Sequence, residues 1–261
     1  MKILNPNIDL DGFFDHLPGA PDRLLLIDYD GTLAPFRIER NRAGFYPGVG
    51  EVLELILEGN CRMVIVTGRS IEDLTALLDL EGVPEMWGCH GWERMLPDGT
   101  YIPPALDETA LKGLEEAGRW AMRENIEERC ETKPAGVALH WRGLDDDLID
   151  RLRKKVGEAW QTIASDAGLS VHEFDGGIEL RPEGRNKGDA VRLLLDDSAP
   201  GTATAYLGDD ATDEDAFRAI RSRGLGVLVN AQQRSTEADI WLQPPEELLW
   251  FLRRWADACK E

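Results

Sequence analysis

Cysteine is scarce and badly placed for a metal: Cys61, Cys89, Cys130 and Cys259 stand alone, with no metal-ligand spacing. Scattered in this way they read as reduced thiols of a cytoplasmic protein. Missing too is any run near the roughly 20 apolar residues needed to cross a bilayer. The stretch Met1 to His16 has no signal-peptide apolar core and carries Asp9, Asp11 and Asp15, so no export signal is expected there. Positive charge is short, with 29 Lys and Arg against 49 Asp and Glu and a net charge of −20. Nucleic acid and anionic membrane are therefore not expected partners, because both need a basic face. An anionic substrate would have to find a local positive site, which a divalent cation and a few lysines or arginines could make. Internal repeats and low-complexity tracts are also absent.

Apolar residues are plentiful. They make up 43% of the 261 residues, enough for one large domain or a core with a smaller insert. The most informative segment is Leu24-Leu-Leu-Ile-Asp28-Tyr-Asp30-Gly-Thr32. Its continuous apolar start suits a strand buried on both faces in a parallel sheet. Just beyond the carboxyl ends of such strands is where ligands bind in open α/β sheets. Asp-x-Asp by itself is weak, since Asp9/Asp11, Asp145/Asp147 and Asp213/Asp215 repeat it. The buried strand leading into Asp28 and Asp30 is what sets that pair apart.

Four segments resemble this strand: Arg62–Thr67, Thr204–Gly208, Gly226–Val229 and Ile240–Leu242. Between and after them lie helical patterns at Val49–Leu57, Ile71–Leu80, Ala190–Leu195, Ala216–Ile220 and Leu248–Trp255. This alternation predicts a doubly wound, mostly parallel Rossmann-like α/β core. The middle differs, with helical periodicity over 107–126 and 145–164. Strand patterns there cover Val137–Trp141, Leu169–Phe174, Ile178–Leu180 and the stretch 128–133. Pro103-Pro104 and Pro182-Glu183-Gly184 bracket it as linkers and candidate hinges. The expected organisation is a core over 1–104, an α+β insert over 105–181, and the rest of the core over 182–261.

Three further signals sit at strand ends or helix starts. In Gly208-Asp209-Asp210-Ala-Thr212-Asp213-Glu-Asp215, a capping box of Thr212 with Asp215 explains part of the acidity. It leaves Asp209 and Asp210 at the end of a strand, where carboxylates could share a hard cation such as Mg²⁺. Thr67-Gly68-Arg69-Ser70 follows a strand, and Ser70 with Asp73 makes a second capping box. Thr67 is left at the strand end to hold a phosphoryl oxygen with the N–H groups that follow. Lys187 opens a helix, where a cation is electrostatically misplaced, and such local violations mark functional sites.

In order and setting, Asp28-Tyr-Asp30-Gly-Thr32, Thr67-Gly-Arg69, Lys187 and Gly208-Asp209-Asp210-x-x-Asp213 resemble the four motifs of the haloacid dehalogenase-like (HAD) phosphatases. The insert falls where that superfamily carries its type-two (C2B-like) caps. Gly88-Cys-His90-Gly91-x-Glu93, Glu131-x-Lys133, Leu139-His140-Trp141-Arg142 and Glu179-Leu-Arg181-Pro182 look like the pattern of the trehalose-6-phosphate phosphatases. The resemblance implies a stand-alone, Mg²⁺-dependent phosphatase, with Asp28 as nucleophile and Asp30 as acid and then base. Mg²⁺ would lie among Asp28, Asp30 and Asp209, with Asp210 and Asp213 nearby. Thr67, Gly68, Arg69 and Lys187 would grip the phosphoryl oxygens, and His90, Gly91, Glu131, Lys133, Arg142 and Glu179 would contact the sugar. The partner implied is a small sugar phosphate, trehalose 6-phosphate first. Rival readings are a phosphatase for sucrose phosphate, mannosylglycerate phosphate or glucosylglycerol phosphate, a phosphomutase, or a non-catalytic Mg²⁺-binding regulator. Nothing in the sequence demands a protein partner or more than a monomer. The resemblance leaves His140, Arg181 and the basic loop Arg37–Arg42 without a clear task.

Overall fold

A two-residue strand, Lys2–Ile3 (β1), and a short helix, Leu10–His16 (α1), precede the apolar run, which forms strand Arg23–Ile27 (β2). All its side chains are buried, and it pairs in parallel with a neighbour on each side, which is why only apolar residues follow Arg23, whose Nε donates to the Leu17 carbonyl at 2.8 Å. Helix Val49–Glu58 (α2) buries Val49, Val52, Leu53 and Ile56, the i, i+3, i+4, i+7 stripe of an amphipathic helix. Strand Arg62–Val66 (β3) leads to helix Ile71–Thr75 (α3), capped by the Ser70 hydroxyl accepting from the Asp73 N–H. The sequence pattern extends that helix to Leu80. The chain instead leaves it at Thr75, and Leu77, Leu78 and Leu80 pack onto the core from a non-helical path.

Strands Glu85–Gly88 (β4), Glu93–Met95 (β5) and Tyr101–Ile102 (β6) come next, none of them predicted from the sequence. Helix Glu108–Arg123 (α4), strands Cys130–Lys133 (β7) and Gly136–His140 (β8), helix Asp146–Ala167 (α5) and strands Leu169–Phe174 (β9) and Gly177–Pro182 (β10) form the middle. Helix Lys187–Asp196 (α6), strand Ala203–Gly208 (β11), helix Glu214–Ile220 (α7), strands Leu225–Val229 (β12) and Ile240–Leu242 (β13), and helix Glu246–Cys259 (α8) complete the chain.

This computed structural model describes residues 1–174 and 176–260. It divides into two units, 1–101 with 186 onward, and 102–185. The first holds the larger sheet, in the order β1-β13-β12-β11-β2-β3-β4-β5-β6, whose central run from β13 to β4 is parallel. Alternate residues feed opposite faces. Leu25, Ile27, Met63 and Ile65 join the core under α1, α2, α3 and α8, and Leu24, Leu26, Val64 and Val66 join the core under α6 and α7. The order is that of a doubly wound α/β fold. Among the described residues no helix is long and apolar enough to cross a membrane.

The second unit is a four-stranded antiparallel sheet, β7-β8-β10-β9, with α4 and α5 packed on one face. Val137, Leu139, Ile178 and Leu180 point to the helices, and the alternate positions form a polar face.

The expectation of four reduced thiols fails. Cys61 and Cys259 are joined in a disulfide, with Cα atoms 5.7 Å apart across 198 residues, and only Cys89 and Cys130 are free thiols. The last turn of α8 packs on the approach to β3, where the Asn60 N–H donates to the Cys259 carbonyl at 2.9 Å. A contact so remote in sequence leaves no spacing signal.

Candidate active site

Asp28, Thr67 and Asp209 stand directly after β2, β3 and β11, three neighbouring parallel strands. The Asp28 N–H donates to the Leu207 carbonyl at 2.9 Å, fixing the first residue beyond the sheet. Tyr29 turns away and is fully buried, its hydroxyl donating to the Ala43 carbonyl at 2.7 Å. Gly31 has φ +80°, and a Cβ there would collide with the Asp209 carboxylate, so only glycine lets the turn pass this close.

Asn186 caps α6 in a full capping box with Asp189, which leaves Lys187 as the first helical residue. Its ammonium is turned inward and buried, 2.8 Å from Asp28 Oδ1 and 2.8 Å from Asp213 Oδ1. The electrostatic misfit seen in the sequence is thus resolved by two carboxylates. Burial alone would lower the Lys187 pKa, but Asp213, Asp28 and Asp210 outweigh it and hold the ammonium charged far above neutral pH. Asp213 is a hub. Its Oδ1 also accepts from the Tyr206 hydroxyl at 2.5 Å, and its Oδ2 accepts from the Asp209 and Asp210 N–H groups at 3.0 and 3.1 Å. Burial pushes the Asp213 pKa up, yet Lys187 and these donors bring it below the ordinary carboxylate value.

The cap of the acidic turn differs from the sequence reading. Asp210 and Asp213, not Thr212 and Asp215, form the capping box, and Asp210 Oδ1 accepts from the N–H and the hydroxyl of Thr212 at 2.8 and 2.7 Å. The shift of two residues puts the reciprocal bonds at the start of the single turn before α7.

Asp28, Asp209 and Asp213 bring one carboxylate oxygen each within 4.8 Å of one another. Asp213 already accepts four hydrogen bonds, the full capacity of a carboxylate. Asp209 is the opposite case, for its Oδ1 is buried with no hydrogen-bond partner among the described residues. Burial, with Asp210 and Asp28 beside it, pushes the Asp209 pKa well up, and burial does the same to Asp28 against the pull of Lys187. Two buried carboxylates that protonate too easily when alone form a donor set a hard divalent cation satisfies, and all-oxygen ligation suits Mg²⁺. The residues therefore fit the metal.

Arg69 lies beside this centre. Its guanidinium meets the Asp30 carboxylate in parallel, at 2.6 and 2.7 Å, and also donates to the Arg40 carbonyl at 3.1 Å. Its N–H donates to Thr67 Oγ1 at 3.1 Å. The Thr67 carbonyl accepts from the His90 N–H at 2.9 Å, so the turn Cys89–Gly91 lies against Thr67 and Gly68. Cys89 and His90 both have positive φ, 48° and 57°, a conformation non-glycine residues seldom hold. Buried Glu93 accepts from Ile71 N–H at 2.7 Å, Tyr101 Oη at 2.7 Å and Cys89 Sγ at 3.2 Å, tying that turn to the start of α3.

In the second unit, Glu131 and Glu179 flank Ala138 from the two neighbouring strands. Lys133 Nζ is 2.6 Å from Glu179 Oε1 and 3.9 Å from Glu131 Oε2, and His140 Nε2 is 3.0 Å from Glu131 Oε2. The sequence left His140 without a task; its ring now lies on the carboxylate that the pattern assigned to sugar. Ser170 Oγ and His172 Nε2, 2.7 Å apart, extend the row on β9, where Glu179 faces His172 and Arg181 faces Ser170. Arg142 follows β8 by two residues, its side chain occupying the space that a Cβ at Gly176 would need.

Two groups of residues escaped the sequence reading: Tyr206 behind Asp213, and Asn230 with Arg234 behind Asp209. A tyrosine in a mostly apolar buried strand was the one available signal for the first.

The family model for trehalose-phosphatases matches residues 26–245. The chain belongs to the trehalose-phosphatase family. A trehalose-phosphate phosphatase of Mycobacterium marinum is 32% identical over 259 residues, covering 91% of this chain and 64% of that one. An uncharacterized glycosyl hydrolase of Mycobacterium tuberculosis is 31% identical over 252 residues, covering 91% of this chain but 18% of its own length. This member of the trehalose-phosphatase family thus spans less than two thirds of either relative. Its fold is that of the C-terminal domain of Candida albicans trehalose-6-phosphate phosphatase, with a TM-score of 0.81 at 21% identity over 98% of this chain and 99% of that one.

Proposed function

We propose that this chain is a Mg²⁺-dependent phosphatase that hydrolyses trehalose 6-phosphate to trehalose and phosphate. The observation that carries the reading is the buried Asp28 carboxylate, held by Lys187 at 2.8 Å beside the unpartnered oxygen of Asp209. A buried carboxylate beside an ammonium becomes a nucleophile once a bound cation favours its charged form, and the cleft gathers positive charge despite the net charge of the chain.

Asp28 and Asp209 would hold Mg²⁺ with the Asp30 backbone carbonyl, Asp210 and Asp213 staying close. When bound, the ion offsets the charge on the phosphoryl oxygens. Asp28 attacks phosphorus, the bond from phosphorus to the sugar oxygen breaks, and Asp30 gives that oxygen a proton. Water then attacks phosphorus in the Asp28 aspartyl phosphate, Asp30 takes the water proton, the bond from phosphorus to the Asp28 oxygen breaks, and phosphate leaves. The Thr67 hydroxyl, braced by the Arg69 N–H at 3.1 Å, and the Gly68 N–H receive phosphoryl oxygens with Lys187, which stabilises the charge of a loose transition state. Glu131, Lys133 and Glu179 hold sugar hydroxyls, the carboxylates accepting and the ammonium donating, with His90, Gly91 and Arg142 as further contacts.

Phosphate release from trehalose 6-phosphate, sucrose phosphate, glucosylglycerol phosphate and mannosylglycerate phosphate, each with and without EDTA, tests this. Metal-dependent release from trehalose 6-phosphate is expected. No metal-dependent release from any of the four would sink the enzyme reading, and release from another sugar phosphate alone would replace the substrate.

A further inference from the structure

Asp209 has a carboxylate oxygen with no partner of its own, so something other than a hydrogen bond at that atom must aim it. The backbone does this. The N–H groups of Asp209 and Asp210 are pinned from within by Asp213 Oδ2, at 3.0 and 3.1 Å. Their carbonyls are pinned from behind by one side chain in the loop between β12 and β13. Arg234 Nε donates to the Asp209 carbonyl at 3.0 Å, and its Nη2 donates to the Asp210 carbonyl at 2.7 Å. The Asn230 amide adds a bond to the Asp209 carbonyl at 3.3 Å. The peptide plane joining Asp209 to Asp210 is therefore held at both its carbonyl and its N–H, and the planes before and after it are each held at one end, which restrains the turn from swinging its carboxylates out of the cleft.

The clamp is itself anchored. Arg234 Nη1 bonds Glu214 Oε1 and the Ser235 carbonyl, and Glu214 Oε2 accepts from the Glu237 N–H at 2.8 Å. Asn230 is held by its N–H on the Leu242 carbonyl at 3.0 Å and by Trp241 Nε1 on its own carbonyl at 2.7 Å. Glu214 balances the charge of the guanidinium, so what Arg234 adds is direction. A planar fork can serve two successive carbonyls and a carboxylate at once, and an ammonium cannot.

We propose that Arg234, assisted by Asn230, is the positioning residue of the metal-bearing turn: it sets the aim of Asp209 and Asp210 through their carbonyls, and so sets affinity for the divalent cation. This rests on the Mg²⁺-dependent reading above. Outer-shell partners of this kind are worth about ten- to a hundred-fold in metal affinity.

Calorimetric titration of MgCl2 into the metal-free chain tests the proposal on wild type, R234A, R234K and N230A, with circular dichroism confirming fold and KM for trehalose 6-phosphate measured at saturating Mg²⁺. R234A should weaken Mg²⁺ binding by about ten-fold or more. R234K should recover little of that loss, and N230A, missing one neutral hydrogen bond, should lose about three-fold. KM should stay near the wild-type value in all three. If R234A fails to fold, R234K and N230A carry the comparison. Unchanged Mg²⁺ affinity in folded variants, full recovery in R234K, or a raised KM with unchanged Mg²⁺ affinity each overturns the positioning role while leaving the phosphatase reading intact. Wild type that takes up no Mg²⁺ overturns both.

Discussion

Arg69 grips Asp30 through two parallel hydrogen bonds, Nε to Oδ2 at 2.6 Å and Nη2 to Oδ1 at 2.7 Å. Motif order alone places Arg69 among the phosphate ligands. The geometry gives it a second possible task, which is to hold the acid–base carboxylate between the two halves of the reaction. The tasks separate kinetically. If Arg69 serves Asp30, Arg69→Met lowers kcat on p-nitrophenyl phosphate by about a hundred-fold, the low end of what acid–base catalysis contributes, with KM little changed. That is the expected outcome. A rise in KM at constant kcat would return Arg69 to phosphate binding.

Asp28→Asn should abolish turnover and leave the fold intact. The change is nearly isosteric, and Lys187 keeps the Asp213 carboxylate at 2.8 Å as a partner. The neutral amide has no nucleophilic oxygen to give, so no phosphoryl ester forms. Phosphate release and circular dichroism check the two halves; a folded variant with near-normal release would move the nucleophile elsewhere.

Tyr206→Phe removes the hydroxyl donated to Asp213 at 2.5 Å and nothing else, because the ring packs edge-on to Phe217 with centroids 5.6 Å apart. A hydrogen bond to a charged group contributes about 1.5–3 kcal/mol, and Asp213 is fully buried, so the loss is not screened by solvent. Urea unfolding should show a destabilisation of that size. A change within about 0.5 kcal/mol, typical of a neutral surface position, would remove Tyr206 from the hub.

Much of the core was legible because its local chemistry is one-sided. A strand with parallel neighbours on both sides is apolar over most of its length, so the run Leu24–Ile27 announces itself and the aspartates after it stand out. Lys187 was legible as a misfit at a helix start, and its two carboxylates explain the misfit. The strand Glu85–Gly88 was not legible, since four mixed residues carry no period. Nor was Arg234, whose bonds reach carbonyls 25 and 24 residues away, or Cys61, whose partner lies 198 residues on. Backbone carbonyls are common to all residues, so a side chain that serves them leaves no pattern in composition or spacing.

Metal and protons should compete for the cleft. Asp28 and Asp209 both have folded-state pKa values raised above the ordinary 3.8 by burial. For such groups the stabilising contribution is complete below 3.8 and is lost as pH rises through the raised values, when buried charge appears. Asp213, lowered instead, acts oppositely and weakens the fold only when pH drops below that range. Mg²⁺ needs both raised carboxylates ionised. The rise in Tm on adding Mg²⁺ should therefore be larger at pH 8 than at pH 5.5. Equal rises at the two pH values would mean that Asp28 and Asp209 do not hold the ion.

Substrate choice is the remaining test, and the proposed sugar contacts put it on the polar face of β7, β8 and β10. Lys133 Nζ is 2.6 Å from Glu179 and 3.9 Å from Glu131, and His140 meets Glu131 at 3.0 Å, so the row acts as one network. Glu131→Ala or Lys133→Ala removes hydrogen bonds that a second glucose unit would use and a phenyl ester cannot. Charged hydrogen bonds of about 1.5–3 kcal/mol correspond to roughly a ten- to hundred-fold loss of kcat/KM on trehalose 6-phosphate. On p-nitrophenyl phosphate the same variants should stay within about two-fold of wild type, because the attack on phosphorus uses none of these groups. Equal losses on both esters would take Glu131 and Lys133 out of sugar recognition and make them supports of the fold.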